Sequence, residues 1–124
     1  ERHRGPVACE PRHATWFTEE ADVLLRSFAV ARVAADPARA PGADEPGGFP
    51  GLVYYRLHGS PKVYYSAYPD QYLKALAKTL VQAAKSADVW CIFDNTAAFA
   101  ATGDALTTRS LIEARSRGNA GQGP

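Results

Sequence analysis

Charged and polar side chains stand at the carboxyl ends of four segments whose composition is typical of β-strands. They are Glu10 and Arg12 after the first segment, Asp36 after the second, Arg56 and His58 at the third, and Asp94 and Asn95 after the fourth. In parallel α/β folds a ligand binds beyond this end of the strands, because the loops there vary while the sheet holds their roots. If the strands are parallel, these side chains converge at one rim.

His58 is the member of this set whose residue type titrates near neutral pH, which general acid-base catalysis favours. We therefore predict an acid-base site in which His58 carries the proton and Glu10 or Asp36 acts as the base or orients the imidazole. Arg12 and Arg56 are expected to hold the anionic group of a small polar or anionic ligand.

Most of these residues also have a structural interpretation. Asp36 precedes Pro37, and an aspartate in this position is often a turn former. Glu10 and Arg56 would form an ion pair that only holds the sheet together, since buried pairs need not be catalytic. His58 precedes a glycine and would then be a loop histidine bonded to backbone.

A tyrosine-rich loop follows the third strand segment. Tyr64 and Tyr68 lie on it, and tyrosine supplies both a ring and a hydrogen-bonding tip. We predict that both line the ligand pocket, with core packing as the alternative.

The sequence lacks the familiar signatures of cofactor and metal sites. It contains no Gly-x-Gly-x-x-Gly, Walker loop, Gly-x-Ser-x-Gly, Cys-x-x-Cys or His-Glu-x-x-His. The spacing of the carboxylates and His58 is not that of a known metal site, so we predict no metal and name no cofactor.

Composition narrows the class of protein. The 124 residues are 46% hydrophobic and 22% charged, which permits one modest core. A net charge of +1 gives no case for nucleic-acid binding, and no run approaches the roughly 18 apolar residues of a membrane span. Cys9 and Cys91 lie in apolar runs and are predicted to be buried thiols. We expect a cytoplasmic protein.

Hydrophobic periodicity predicts an α/β fold with a mainly parallel sheet. The expected strands are 7–10, 30–35, 52–57 and 88–93, and the expected helices are 18–28, 70–85 and 96–115, with Asp104 as a candidate N-cap of the last. Residues 37–51 are rich in proline and glycine and predict an irregular crossover between parallel strands. Residues 118–124 are expected to form a disordered tail.

Several blocks in this order resemble the DUF72 (YecE-like) family. They are Glu10-Pro-Arg-His-Ala-Thr-Trp16-Phe17, Ala35-Asp36-Pro37, Val53-Tyr-Tyr-Arg-Leu-His-Gly59, the spaced Tyr64 and Tyr68, and Phe93-Asp-Asn95-Thr96. The resemblance covers residues 7–112 and is most specific in the Glu-x-Arg-His-x-x-Trp and Tyr-x-Arg-x-His-Gly blocks.

The resemblance implies a TIM-barrel-like fold, of which residues 1–117 form the second half, and a family whose biochemical role is not established. A complete barrel takes about 250 residues, and this chain has no methionine, so we expect a piece of a longer protein. The family's recurrent positions at the barrel mouth correspond here to Glu10, Arg12, Trp16, Asp36, Arg56, His58, Tyr68 and Asn95. Asp94, where the family often has Asn, and Thr102-Gly-Asp104-Ala, where it usually has Asn-Ala, depart from the pattern.

The leading functional hypothesis is an enzyme that acts on a small polar or anionic ligand at the barrel mouth. The alternatives are a non-catalytic barrel that binds a metabolite or a protein, and a fragment without independent activity. Because a half-barrel leaves strand edges and an apolar face open, we also expect self-association. The excess of arginine and alanine suggests a bacterial source.

Overall fold

A computed structural model describes residues 3–120 of the chain. Its strands are β1 (Val7–Cys9), β2 (Val30–Arg32), β3 (Ala34–Asp36), β4 (Gly47–Gly48), β5 (Leu52–Leu57) and β6 (Asp88–Phe93). Its helices are the 3-10 helix η1 (Ala14–Phe17) and the α-helices α1 (Glu19–Ser27), α2 (Asp70–Ala83) and α3 (Ala100–Ala120). The fold is mixed α/β, and the four predicted strand segments are all present.

The four predicted strand segments, β1, β2 with β3, β5 and β6, lie side by side and run in the same direction. β1 pairs in parallel with β2, and β5 pairs in parallel with both β3 and β6. β2 and β3 are consecutive, and Val33 between them donates its N–H to Cys9 O at 2.9 Å. The segment 30–36 therefore joins β1 to β5, which confirms the predicted parallel sheet.

Side chains alternate between the two faces of this sheet. The face that carries Tyr55, Leu57 and Cys91 packs against α2, and the core there also contains Leu73 and Leu80. Burial raises the pKa of the Cys91 thiol to about 12. Both cysteines are free and partly buried. We call the opposite face, which carries Tyr54, Arg56 and Trp90, the open face, since Trp90 is 55% exposed there.

The crossover between β3 and β5 differs from the predicted loop because it contains the short strand β4, which pairs antiparallel with β2. Gly48 adopts a φ of +67°, and a Cβ at this position would lie 2.3 Å from Val30 O, so only glycine fits. Its N–H donates to the Asp22 carboxylate at 2.6 Å. This bond lowers the pKa of Asp22, and it ties the crossover to α1.

Two helix ends also differ from the prediction. α1 ends at Ser27, so Phe28 lies just after the helix and is 74% exposed. α3 begins at Ala100 and places Asp104 inside the helix, where it is buried, so Asp104 is not an N-cap. α3 continues through residues 118–120 of the predicted tail, and residues 121–124 lie outside the described residues. No helix within residues 3–120 has the length and apolar character to cross a bilayer.

Candidate functional site

Four side chains close a ring of hydrogen bonds at the carboxyl ends of β1, β5 and β6. The His58 Nε2 atom lies 3.0 Å from Glu10 Oε1, and the His58 Nδ1 atom lies 3.0 Å from Asp94 Oδ2. Arg56 donates from Nη1 to Glu10 Oε2 at 2.8 Å and from Nη2 to Asp94 Oδ2 at 3.0 Å. We call Glu10, Arg56, His58 and Asp94 the charged ring.

Strand alternation and parallel register bring these four residues together. Arg56 and His58 are two residues apart and therefore project on the same side of the sheet. Pairing continues one step past the strands, because His58 N–H donates to Asp36 O and Asp94 N–H donates to Leu57 O, both at 2.8 Å. The ends of β5 and β6 consequently lie at the same level, and the Asp94 carboxylate lies next to the His58 imidazole.

Hydrogen bonds within the charged ring shift the pKa values of Glu10 and Arg56. Burial raises the pKa of the Glu10 carboxyl, but hydrogen bonds from His58 and Arg56 together outweigh burial, so the pKa lies below its usual value. The same Glu10 hydrogen bond raises the pKa of Arg56.

A cavity of about 420 Å³ lies on the open face beside the ring. Its lining is formed by Pro6, Ala8, Glu10, Val33, Leu52, Tyr54, Arg56 and Trp90. Glu10 and Arg56 are the charged groups that reach it. His58 is only 7% exposed and does not line the cavity, so it would reach a ligand there through the Glu10 carboxylate.

Asp36 lies on the other side of the sheet from the ring. In the register of β3 and β5, Ala35 pairs with Arg56, whereas Asp36 pairs with Leu57, whose side chain faces the helices. The Asp36 carboxylate accepts a hydrogen bond from the Tyr68 hydroxyl at 2.8 Å. The structure therefore does not bring the Asp36 carboxylate to His58, because a shift of one residue along a strand changes the face.

Asn95 and Tyr68 are also buried away from the ring. Asn95 is fully buried, and its Nδ2 donates to Asp104 Oδ2 at 2.7 Å and to Ser66 O at 3.0 Å. Tyr68 is 5% exposed and stacks on Tyr72 with ring centroids 4.6 Å apart. Burial, together with the hydrogen bond to Asp36, raises the pKa of Tyr68. The structure thus brings neither residue to the common opening that we expected.

Three further predicted ligand contacts lie at the surface. Arg12 is exposed, and its guanidinium makes no hydrogen bond or ion pair with any side chain that the structure describes. Trp16 lies on η1 and is 38% exposed. Tyr64 is 41% exposed, and its ring stands edge-to-face on His58 with centroids 5.8 Å apart. Of the three, Tyr64 is in direct contact with the charged ring.

The sequence predicts Asp94 as a polar strand end but not as a residue of the acid-base site. The signal that would have found it is the two-residue alternation in β6, which puts Trp90 and Asp94 on one face and Asn95 on the other. Among the described residues, no group of three or more His, Cys, Asp or Glu side chains is arranged to hold a metal ion.

The charged ring predicts a specific pH dependence of stability. The folded-state pKa of Glu10 lies below its ordinary value of 4.5, so its contribution is fully present above that pH and is lost as pH falls through the folded pKa. Glu10→Gln is expected to lower the free energy of unfolding by about 1.5 kcal/mol near neutral pH. The difference between the two proteins should shrink below about pH 4.5.

Urea unfolding of both proteins from about pH 7 to about pH 3 measures this difference. Glu113→Gln is the control, since Glu113 forms only exposed ion pairs on α3 and should change stability by less than about 0.5 kcal/mol. A difference for Glu10→Gln that stays constant over the whole range would contradict the assignment.

Comparison with known proteins agrees with the resemblance in the sequence. The family model described as "Protein of unknown function DUF72" matches residues 2–123. A DUF72 family protein of Enterococcus faecalis is 20% identical with a TM-score of 0.70, and the match covers 87% of this chain and 47% of that one. One from Thermotoga maritima is 25% identical with a TM-score of 0.69, covering 86% and 45%.

The chain spans about half the length of these solved structures. No curated protein matches it. The family match extends over nearly the whole chain, and the fold is shared with solved members. The chain therefore belongs to the DUF72 family, whose function is unknown.

Proposed function

We propose that the chain is the second half of a TIM-like barrel and that the charged ring is an acid-base site for a small polar or anionic ligand at the barrel mouth. The observation that carries this proposal is His58, held 3.0 Å from each of two carboxylates at the ends of parallel strands. Glu10 and Arg56 of the same ring reach the cavity. Proton relays of this kind need donor and acceptor within hydrogen-bond distance.

Two findings support the half-barrel. The chain has four parallel strand segments, half of the eight in such a barrel, and it covers 45% to 47% of the two solved relatives. In a closed barrel the open face would become the interior. Tyr54 and Trp90 would then fill the layer beneath the charged ring, since Tyr54 pairs with Trp90 in the register of β5 and β6.

The chain's own residues suggest a division of labour. Glu10 is ionised and reaches the cavity, so it would accept a proton from the ligand. With its Nε2 atom unprotonated, His58 would take that proton on from Glu10, and Asp94 would hold the Nδ1 side of the imidazole. Arg56 lines the cavity and uses only two of its five N–H donors within the ring, so it could also hold an anionic group of the ligand, and the exposed Arg12 lies outside the cavity lining. Hydrolysis and isomerisation both fit this arrangement.

One observation favours the second candidate, a non-catalytic binding site. Both ring nitrogens of His58 are occupied, and the imidazole does not line the cavity. A site of this kind would bind the ligand through Glu10 and Arg56 while His58 holds Glu10 in place. Turnover of a bound ligand would distinguish the two functions.

Thermal unfolding with a defined panel tests the site. The panel is phosphate, acetate, citrate, glucose, glucose 6-phosphate and glycine, each with and without divalent metal ions. At about 100 times its Kd, a true ligand adds about 2.7 kcal/mol and should raise Tm by several degrees. We expect Glu10→Gln to lose that rise and Glu113→Gln to keep it. No rise with any compound, or the same rise in both variants, would contradict the proposal.

A further inference from the structure

The connection from β5 to α2, residues 59–69, has no helix or strand of its own but is held by buried polar groups. We call it the Tyr64 loop. Gly59 N–H donates to the Tyr68 hydroxyl at 2.8 Å, and that hydroxyl donates to the Asp36 carboxylate at 2.8 Å. The two ends of the loop are thus joined to each other and tied to β3.

A second anchor comes from Asn95 and Asp104. Asn95 donates to Ser66 O in the loop and to Asp104, and Asp104 also accepts the Tyr68 N–H at 3.0 Å. Asp104 is 7% exposed and Asn95 is fully buried. Burying a carboxylate is costly unless it is hydrogen-bonded, so this arrangement is stable only with its donors in place. α3 therefore reaches the loop through Asp104.

The anchored loop holds the backbone of Tyr64 in a conformation that residues other than glycine rarely adopt. Tyr64 has a φ of +69°, its N–H donates to His58 O at 2.5 Å, and its carbonyl accepts from Ala97 N–H at 2.9 Å. Such a backbone conformation is costly and persists only where the surroundings impose it. Tyr64 is 41% exposed and is therefore not a core residue, yet its aromatic ring contacts the imidazole of His58 edge-to-face.

We infer that Asp104 and Asn95 are positioning residues that hold Tyr64 on His58, and that Tyr64 is a ligand contact beside His58, outside the lining of the cavity itself. The positioning stands on the contacts of the free protein, and the role of Tyr64 as a ligand contact rests on the proposed function. A half-exposed tyrosine beside an acid-base group offers a ligand both a ring face and a hydroxyl. Asp104, which the sequence predicts as a candidate helix cap, thereby acts on the site through Tyr68 and Asn95.

NMR of the unliganded protein tests the positioning, because the Tyr64 ring shifts the resonances of the His58 ring protons. Tyr64→Ala gives the chemical shifts of the His58 ring protons in the absence of the tyrosine ring. Tyr64→Phe should keep the wild-type chemical shifts. We expect Asp104→Asn to move the His58 resonances to the Tyr64→Ala value while the helix content by circular dichroism is unchanged. A structural role alone would leave the His58 resonances in place.

Tyr68→Phe is the second variant, because it removes only the hydroxyl that joins Gly59 to Asp36, and it should give the same change. Tyr72→Phe is its matched control, since Tyr72 stacks on Tyr68 and its hydroxyl has no hydrogen bond with the described residues. Wild-type His58 resonances in folded Asp104→Asn and Tyr68→Phe would overturn the inference. Failure of both to fold would also remove it, since the anchors would then serve the fold as a whole.

Phosphate and acetate titrations test the ligand contact separately. Tyr64→Ala is expected to weaken binding of the better probe about tenfold, and Asp104→Asn by a similar factor. If neither probe binds the wild-type chain, the proposed function fails for these anions and the ligand contact falls with it, while the NMR result still decides the positioning. Equal binding by wild type and Tyr64→Ala would remove the contact and leave the proposed site standing.

Discussion

His58→Leu is expected to lower the free energy of unfolding by about 3 kcal/mol, at the low end for removing one partner of a buried hydrogen-bonded group of charges. Glu10 and Asp94 are connected by two side chains among the described residues, Arg56 and His58. The His58 side chain is 9% exposed. Without it, two carboxylates face each other with Arg56 alone. The loss stays at the low end because Asp94 is 27% exposed and water can partly replace the bond.

Urea unfolding at neutral pH measures this loss. His13→Leu is the matched control, since His13 is exposed and bonds only Thr15, two residues away. We expect it to cost less than about 1 kcal/mol. Equal stability of wild type and His58→Leu would show that the ring contributes nothing to the fold.

The second large effect concerns the open face. In solution we expect the chain, whose mass is 13.3 kDa, to form dimers or larger assemblies. Its solvent-accessible surface is 8244 Å². A compact monomer of this mass exposes about 6,450 Å², so the excess is about 1,800 Å². That is more than the roughly 800 Å² that each partner buries in a standard interface.

Light scattering coupled to size-exclusion chromatography gives the mass. Trp90→Lys places a charge at the centre of the open face and should shift the population towards monomer. Phe28→Lys is the control, because Phe28 is also apolar and 74% exposed but follows α1 and lies off the open face. A wild-type monomer at about 100 μM, or dissociation by Phe28→Lys alone, would contradict the use of this face.

Local sequence patterns were sufficient for the main elements. α2 was predicted from its apolar stripe and lies within two residues of the expected end. The strand segments follow from branched and aromatic runs bounded by turn residues, and their common direction from the alternation with helices. Glu10, Arg56 and His58 were expected at one rim, and the structure places them in one ring.

The sequence by itself thus determined which elements form, their direction, and which strand ends carry chemistry, because these depend on periods of two and 3.6 residues within short segments. Alternation within β6 separates Asp94 from Asn95, but only the tertiary structure decided that Asp94 contacts His58 and that Asp36 and Asn95 face the helices. It also decided that Asp104 reaches the Tyr64 loop and that Gly47 and Gly48 form β4. These outcomes depend on the register between strands and on contacts between residues far apart in the chain, and neither leaves a local pattern.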